Sequence, residues 1–425
     1  MSAQTGTIAG DGAGELLTTG GAAETTDAKR KRGTGAAVAG GGGGSASLSG
    51  IDAAEVGAGA GASAASSKRR KVQETEADGE GSGAAADCAP VGRVKRKRGD
   101  NTPLPRNAPG HWDVFIGHSR RSADAVVLAT GHSALDALLL AREAGARLEP
   151  KGFAMGVRAE HPQPWLDERQ YGGLRATSEL PASFYELTAQ AEGRGVYSFC
   201  MCPGGFIVPA TTAADRVVVN GMSLARRDSP YANSGIVVAL EPEHWCGERG
   251  RAWGWEELLR AAGDRGELPP EPAAEPLFGA RLQQALERLA ARAGGGRGRA
   301  PAQRADAFLA GRGEAPEPRA TSYRPGLAAC DLGSLLPRGI AERLREGIAE
   351  FGERLPGFAT GLGQLVGVES RTSSPVRLAR DRESCESPGL RGLYPCGEGA
   401  GFAGGIVSAA LDGRRVAAAL ARVLG

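Results

Sequence analysis

The N-terminal part of this 425-residue chain contains no aromatic side chain, since the first aromatic residue is Trp112. Before it the sequence consists mainly of Gly, Ala, Ser, Thr and charged residues. A segment with so few large apolar side chains cannot bury enough surface to offset the entropy that it loses on ordering. We therefore predict a disordered low-complexity tail over residues 1–108 and a folded region after it.

The chain also lacks a hydrophobic run long enough to span a membrane and lacks the apolar segment of a secretory signal peptide. We therefore expect no membrane partner and an intracellular location in which the seven cysteines stay reduced. Whether the compartment is the plastid, the cytosol or the nucleus stays open. The formal net charge is only +2, which argues against a folded region built to bind nucleic acid.

Three basic clusters interrupt the predicted tail, at residues 29–32, 68–71 and 95–98. Such clusters are typical of nuclear import signals and nucleic-acid contacts, but interspersed acidic residues also fit a solvated charged tail. Residues 56–62 imitate a glycine-rich nucleotide-binding turn. No buried strand precedes them and no amphipathic helix follows, so we predict no nucleotide site there.

The folded region begins with a pattern of strand, turn and helix. The apolar residues 125–129 predict a strand covered on both faces, and Thr130-Gly131 ends it. From 152 to 240, short apolar segments separated by Gly, Pro and Asn predict a mostly antiparallel sheet. Apolar residues at helical spacing predict helices near 277–293 and 340–351.

The C-terminal residues 393–425 read LYPCGEGAGFAGGIVSAALDGRRVAAALARVLG and again predict a strand, a glycine-rich turn and a helix. Glu398 lies between two glycines, where its carboxylate can accept hydrogen bonds from the hydroxyls of a nucleotide or a ribityl chain. Helical spacing predicts a face packed against a sheet, made of Ile406, Ala409, Ala410, Gly413, Val416, Ala417, Leu420 and Leu424. The side chains predicted to face solvent are Ser408, Asp412, Arg414, Arg415 and Arg422.

Two further features are candidates for a substrate pocket. Cys200 and Cys202 lie two residues apart, a spacing that points both side chains to one face of a strand. No second cysteine pair exists to complete a zinc site, so we expect no metal, and the interpretations left open are core packing, a substrate-side role and redox chemistry. His161 is a candidate proton donor, although a lone histidine more often has a structural role.

Several motifs between about residues 111 and 425 resemble one known family. They are LATGHSALD, GFAMGVRAEHPQ, GVYSFCMCPGG, VVVNGMS, PAQR, SYRPG, ESRTSSPVR and the C-terminal stretch. The chain resembles the largely uncharacterised FAD-dependent dehydrogenases labelled NAD(FAD)-utilising. The resemblance implies the cofactor FAD and an α/β fold, in which a glutathione-reductase-like FAD domain carries an inserted α+β substrate domain. It implies FAD-domain segments at 109–150 and 366–425 around a substrate domain at 151–365.

The same resemblance implies which residues contact the cofactor. The implied cofactor-binding residues are Thr130, Gly131, Arg371, Ser373, Gly397, Glu398, Gly399, Gly401, Phe402, Gly404, Gly405 and Ile406. The helix that starts near Ile406 would point its positive end at the flavin ring. Members of the family carry a strand-GxGxxG-helix unit before the Ala-Thr-Gly motif, but low-complexity sequence occupies that place here.

That departure makes the implied FAD domain incomplete. The absent turn would place a diphosphate on a helix N-terminus through charge-assisted hydrogen bonds, each contributing about 1.5 to 3 kcal/mol. Two functions follow: an FAD-dependent oxidoreductase that transfers hydride on an unidentified small-molecule substrate, or a truncated or non-catalytic relative with lost or weak FAD binding. A third, a nuclear or nucleic-acid-associated protein, rests on the basic clusters alone. The oligomeric state stays open.

Overall fold

The structure, a computed structural model, describes the backbone of residues 94–96 and residues 112–116, 118–176, 179–311, 313 and 315–424. Of the predicted tail, Val94–Arg96 forms a strand. The remainder of residues 1–108 lies outside the described residues, including the basic clusters at 29–32 and 68–71 and the glycine-rich residues 56–62.

The described residues form strands and helices along their whole length. The strands are β1 Val94–Arg96, β2 Trp112–Ile116, β3 Ser119–Ala123, β4 Val126–Leu128, β5 Leu148–Pro150, β6 Phe153–Pro162, β7 Thr188–Ala191, β8 Arg194–Cys202, β9 Gly205–Pro209, β10 Val219–Ser223, β11 Tyr231–Leu240, β12 Ala300–Arg304, β13 Leu327–Ala329, β14 Gln364–Glu369, β15 Val376–Leu378 and β16 Leu393–Pro395. The α-helices are α1 Leu135–Glu143, α2 Gln163–Tyr171, α3 Gly247–Ala252, α4 Trp255–Ala261, α5 Phe278–Ala293, α6 Ala305–Leu309, α7 Leu332–Leu335, α8 Arg338–Arg354 and α9 Ile406–Leu424. Short 3-10 helices span Gly172–Ala176, Pro242–Trp245 and Pro272–Ala274.

A seven-stranded mixed sheet forms the centre of the fold. Its strand order is β13-β12-β14-β6-β11-β8-β7, and only the outer pair β12 and β13 is parallel. The mostly antiparallel pairing predicted between 152 and 240 is therefore confirmed, and three later strands extend the sheet. The boundary predicted at residues 365/366 falls within β14, which belongs to this sheet along its whole length, and the predicted domain boundaries stay predictions.

Amphipathic helices cover the large sheet. On α5, Leu282, Leu286 and Ala290 are buried at helical spacing, as the sequence predicts, and the helix ends at Gly294. On α8, Ile340, Leu344 and Ile348 form the equivalent buried face. Together with the sheet they enclose one large apolar core, whose buried members run from Phe153 to Val368. None of the helices in the described part of the chain has the length and apolarity that a membrane crossing requires.

A second, smaller core joins residues from before and after the large sheet. Trp112, Leu138, Leu148, Val376 and Leu393 are among its members. Strands β5 and β15 pair antiparallel beside it, and β4 and β16 pair in parallel. The prediction that residues 125–129 form a doubly covered strand is wrong, because β4 pairs only with β16 and its Val127 is 45% exposed.

The C-terminal helix α9 also differs from the prediction. Of the predicted packing face, Val416 is buried, whereas Ile406 and Leu424 are 92% and 52% exposed. Asp412, predicted to face solvent, is buried because it forms an ion pair with Arg380. Helical spacing alone therefore predicts the wrong buried face for α9, because an ion pair rather than apolar contacts fixes the first half of this helix.

Candidate functional site

The parallel pairing of β4 and β16 brings the two predicted turns into contact. Leu393 lies opposite Val126 and Pro395 opposite Leu128, so each strand leads into its turn at the same edge. Gly399 lies so close to the other turn that a Cβ built on it would be 2.4 Å from the carbonyl oxygen of Gly131. Two segments distant in sequence therefore meet backbone to backbone, with Thr130 exposed beside the contact.

Side chains extend the contact between the turns. His132 Nδ1 lies 3.3 Å from Glu398 Oε1, and both side chains are about three-quarters buried, at 25% and 22% exposure. Glu398 is thus held at the front of the C-terminal turn with one carboxylate oxygen directed to the first turn.

A buried ion pair fixes the C-terminal turn from behind. The backbone N–H of Gly397 donates to Asp412 Oδ2 at 2.7 Å, and Arg380 donates to both Asp412 oxygens at 2.8 and 3.0 Å. Burial opposes ionisation of Asp412, but Arg380 and the Gly397 N–H outweigh it, so the pKa of this carboxyl is lowered. The Arg380 guanidinium also lies 3.6 Å from the ring centroid of Phe402. The buried Asp412–Arg380 ion pair therefore holds the C-terminal turn in place.

Lys151, which the sequence analysis missed, lies beside the same turn. Its Nζ donates to the carbonyl oxygens of Gly152 and Ser374, both at 3.3 Å, and lies 3.5 Å from Ser373 Oγ. Burial lowers the pKa of Lys151, and the charge of Arg377 acts in the same direction, whereas Glu398 raises it. A charged residue immediately before a buried strand was the available signal, because β6 begins two residues later.

Cys200 occupies a β-bulge in the large sheet. Its φ is +45°, and the register between β8 and β11 shifts between Asn233 and Gly235. The bulge separates the two cysteines: Cys200 is exposed and Cys202 is buried, with its Sγ donating to Cys200 O at 3.3 Å. The prediction that both point to one face is therefore wrong, since it assumed a regular strand.

The surroundings of Cys200 disfavour its thiolate form. Desolvation raises its pKa, and among nearby charges Arg158 lowers it while Glu369 and Glu398 raise it. The influence of Glu398 places this thiol within electrostatic range of the C-terminal turn. A raised pKa disfavours the thiolate needed for nucleophilic or redox chemistry, so the arrangement favours a substrate-side or packing role.

A buried arginine supports the bulge. Arg158 has no exposed surface, and its Nε donates to Glu369 Oε2 at 2.8 Å. Its Nη1 donates to Asn233 Oδ1 at 2.8 Å and to Cys200 O at 3.3 Å, and its Nη2 donates to Asn220 Oδ1 at 3.3 Å. One guanidinium thus links its own strand β6 to four others, β8, β10, β11 and β14.

Two of the predicted site residues lie elsewhere or are already engaged. The Arg371 guanidinium forms a bidentate ion pair with the fully buried Glu287, with both hydrogen bonds at 2.7 Å. His161 lies near the far end of β6. At a rise of about 3.3 Å per residue, it is about 30 Å along the strand from Gly152. There it stacks on Trp165, and its Nε2–H donates a hydrogen bond to Phe358 O, 2.9 Å away.

His161 is therefore not brought to the turns. It borders a different cavity of about 310 Å³, which Glu160, Tyr231 and Gln364 also line. Burial lowers its pKa to about 4, although its hydrogen bond to Phe358 O opposes that shift. The assignments of His161 to a substrate pocket and of Arg371 to the cofactor stay predictions.

The residues around the turns fit the flavin end of FAD. A Cβ built on Gly131, Gly404 or Gly405 would meet no atom within 4 Å, so space is open in front of both turns. Glu398 is half-buried at the front of the C-terminal turn, whereas Gly399 is buried against Gly131. Ile406, at the start of α9, is 92% exposed. In contrast, β2 and β3 pair antiparallel in a three-stranded sheet with β1, where the other half of a dinucleotide site would be expected.

Comparison with known proteins identifies the family of the region that contains the large sheet. Residues 152–372 match the family described as "FAD-dependent protein, C-terminal domain-like". An uncharacterised protein of Clostridium beijerinckii is 41% identical over 307 residues, which cover 72% of this chain and 52% of that protein. The chain thus spans about half the length of this relative.

Proposed function

Because the chain belongs to the FAD-dependent protein, C-terminal domain-like family, whose cofactor is FAD, we propose that it is a flavoprotein oxidoreductase of the dehydrogenase type. FAD supplies such an enzyme with an acceptor or donor of hydride. The observation that carries the proposal is the meeting of the Gly131 and Gly399 turns beside Lys151, which directly precedes strand β6 of the large sheet.

In this proposal different residues of the chain contact different parts of FAD. Glu398 accepts hydrogen bonds from the ribityl hydroxyls, while Gly397, Gly399, Gly401, Gly404 and Gly405 let the backbone approach the cofactor closely. The exposed start of α9 directs the positive end of a helix dipole toward the cofactor. Phe402 and the Asp412–Arg380 pair hold the turn in place, and Thr130 and Gly131 close the site from the other side.

The large sheet contributes the substrate side in this proposal. The bulge at Cys200 lies within the electrostatic range of Glu398, so a small-molecule substrate between them would be close to the cofactor. Arg158 positions the bulge from below, because it hydrogen-bonds the Cys200 carbonyl. Cys200 then acts as a neutral contact that shapes the pocket, and Cys202 packs behind it.

A second candidate function is a relative of this family with weak or lost FAD binding. The hairpin formed by β2 and β3 favours it, because this segment provides no glycine-rich turn for the adenine half of FAD. The alternative predicts a folded protein that retains the site's geometry without binding the cofactor tightly.

One experiment separates the two candidates. The purified 425-residue protein is examined by visible absorbance and by thermal unfolding with and without added FAD. The enzyme proposal expects about one flavin per chain and a higher melting temperature with FAD, because ligand binding to the folded state stabilises it. A folded, colourless protein whose melting temperature FAD does not change would contradict it and support the second candidate.

A further inference from the structure

Two cations lie on either side of the C-terminal glycine turn. Lys151 reaches it through Ser374, whose carbonyl accepts from Lys151 Nζ and whose Oγ lies 3.5 Å from Gly399 O. Arg377 adjoins the turn at Gly401, where a Cβ would lie 2.9 Å from the Cα of Arg377. The Arg377 guanidinium is 5.7 Å from the Phe402 ring centroid. Both cations therefore border the same few residues of backbone.

Neither cation forms an ion pair with any residue in the described part of the chain. The oxygen contacts of Lys151 are two carbonyl groups and one hydroxyl, all uncharged. Arg377 is exposed, and its contact is the face of Phe402. The neighbouring Arg380 differs, because Asp412 neutralises it through two hydrogen bonds.

The charge balance around the turn is positive as a result. Glu398 is the nearest carboxylate whose charge acts on Lys151, and Glu241 acts on it more weakly. Arg377 also acts on Lys151, with the opposite sign. A half-buried ammonium held beside a like charge is unfavourable unless an anion joins them.

We propose that Lys151 and Arg377 bind an oxyanion, a carboxylate or a phosphate group, carried by the small-molecule substrate. This inference rests on the proposed function, since the pair adjoins the turn assigned there to the flavin. The substrate is favoured over the cofactor as the source, because Lys151 directly precedes strand β6 of the large sheet, which the proposed function assigns to the substrate side. Ser373 supplies a hydroxyl donor to the same anion.

The test uses inorganic phosphate and acetate as probes of the full-length protein, with binding measured by calorimetry. The variants Lys151→Gln and Arg377→Gln each remove one charge, and Arg414→Gln, on the exposed side of α9, is the matched control. We expect each site variant to weaken phosphate binding about tenfold, as expected for one charge-assisted hydrogen bond, and the control to leave it unchanged. Unchanged phosphate affinity in both site variants would overturn the proposal.

A second measurement identifies the source of the anion. The affinities of the same proteins for FAD and for riboflavin are compared by flavin fluorescence. Equal FAD affinity in wild type and variants is expected if the anion belongs to the substrate. A selective loss of FAD affinity, with riboflavin affinity unchanged, would assign the pair to the cofactor's diphosphate and overturn the substrate assignment.

The outcomes also separate this inference from the proposed function. If the wild-type protein binds phosphate through Lys151 and Arg377 but binds no flavin, the proposed function fails and the oxyanion site stands. If the wild-type protein binds flavin and both variants bind phosphate as tightly as it does, the proposed function stands and the oxyanion site fails. Should Lys151→Gln not fold, as judged by circular dichroism, the exposed Arg377→Gln provides the same readout, and Lys151→Arg is expected to restore binding.

Discussion

At the scale of single residues, His161 links stability to pH. Its pKa is lowered to about 4 by burial, against about 6.5 in an unfolded chain. Between these values the unfolded state binds one more proton than the folded state, so stability falls as the pH decreases through this window. The expected contribution is about 1.4 kcal/mol of unfolding free energy per pH unit.

The test compares the wild-type protein with His161→Gln by urea unfolding between pH 7 and pH 4.5. The unfolding free energy of the variant should depend less steeply on pH than that of the wild type, by about 1.4 kcal/mol per pH unit, because the variant lacks this imidazole. His244 remains as an internal reference, because burial lowers its pKa to about 4 as well. An identical slope in both proteins would show that the folded state accommodates the charged form of His161.

Gly399 is the residue at which a single methyl group should matter most for the meeting of the turns. A Cβ there would lie 2.4 and 2.5 Å from the oxygen and carbon of Gly131, and both are backbone atoms that cannot rotate away. We expect Gly399→Ala to lower the unfolding free energy by about 1 to 3 kcal/mol through overpacking and to weaken flavin binding.

Gly413→Ala is the matched control for this change. A Cβ at Gly413 meets no atom within 4 Å, and the residue lies inside helix α9. The control should therefore raise stability by up to about 1 kcal/mol through helix propensity. Denaturant unfolding of both variants measures the contrast, and equal effects would mean that the two turns move apart readily.

At the scale of elements, the ion pair between α9 and the segment after β15 holds the glycine turn. Removing the charge of Asp412 would leave the Arg380 guanidinium, 4% exposed, without a counter-ion. We expect Asp412→Asn to lower the unfolding free energy by about 3 to 5 kcal/mol. It should also weaken flavin binding, because the carboxylate accepts the Gly397 N–H.

Glu256→Gln serves as the control, since its partner Arg260 is 58% exposed and such pairs contribute about 0 to 1 kcal/mol. Guanidinium unfolding measures both changes. A loss below about 1 kcal/mol for Asp412→Asn would show that water reaches and solvates Arg380.

The strands of the large sheet share a comparable pair in Arg158 and Glu369, which are 0% and 2% exposed. Glu369→Gln should cost about 3 to 5 kcal/mol of unfolding free energy, because Arg158 would keep its charge without compensation. The change should also alter the reactivity of Cys200 toward a thiol reagent, since Arg158 hydrogen-bonds the bulge carbonyl.

The exposed pair Arg147–Glu149 provides the comparison, at 70% and 39% exposure. Glu149→Gln is expected to change stability by less than about 1 kcal/mol and to leave the labelling rate of Cys200 unchanged. If Glu369→Gln behaves like this control, the pair does not support the bulge.

These elements also mark the limit of what the sequence predicts. Periodicity identifies α5 and α8 correctly, because each buries a continuous apolar stripe on one partner sheet. It misplaces the face of α9, where the buried position is taken by Asp412 and the ion pair that it forms. It also cannot foresee the bulge at Cys200, which depends on hydrogen bonds from Arg158, a residue on another strand.

At the scale of the whole molecule, the motifs that resemble the family predict the C-terminal glycine turn, but they do not predict which residues pack beside it. The two turns were both predicted, yet their contact depends on a parallel pairing that no local pattern specifies. Lys151 escaped prediction because a lysine before a strand is usually solvated, and its position here is fixed by hydrogen bonds to the carbonyl oxygens of Gly152 and Ser374. Long-range contacts thus determine which residues meet at the site, whereas local sequence patterns determine where helices and strands form.

The position of the largest apolar core leads to a prediction about fragments. The larger core lies wholly between Phe153 and Val368, so residues 151–372 should fold when expressed alone. We expect a cooperative thermal transition by circular dichroism and dispersed amide resonances. A fragment without such a transition would show that the large sheet needs the flanking segments, and with them the second core, to be stable.

The parallel pairing of β4 with β16 has a consequence for the order of folding. Its two strands flank the entire large sheet in sequence, so their ends must be brought together across a very long loop. Closing such a loop costs entropy that a pair of three-residue strands cannot recover by itself. Folding of the intervening sheet shortens the effective loop, so the two turns are expected to meet late, in the slowest kinetic phase. A refolding chain would then acquire its largest core well before it acquires any affinity for a flavin.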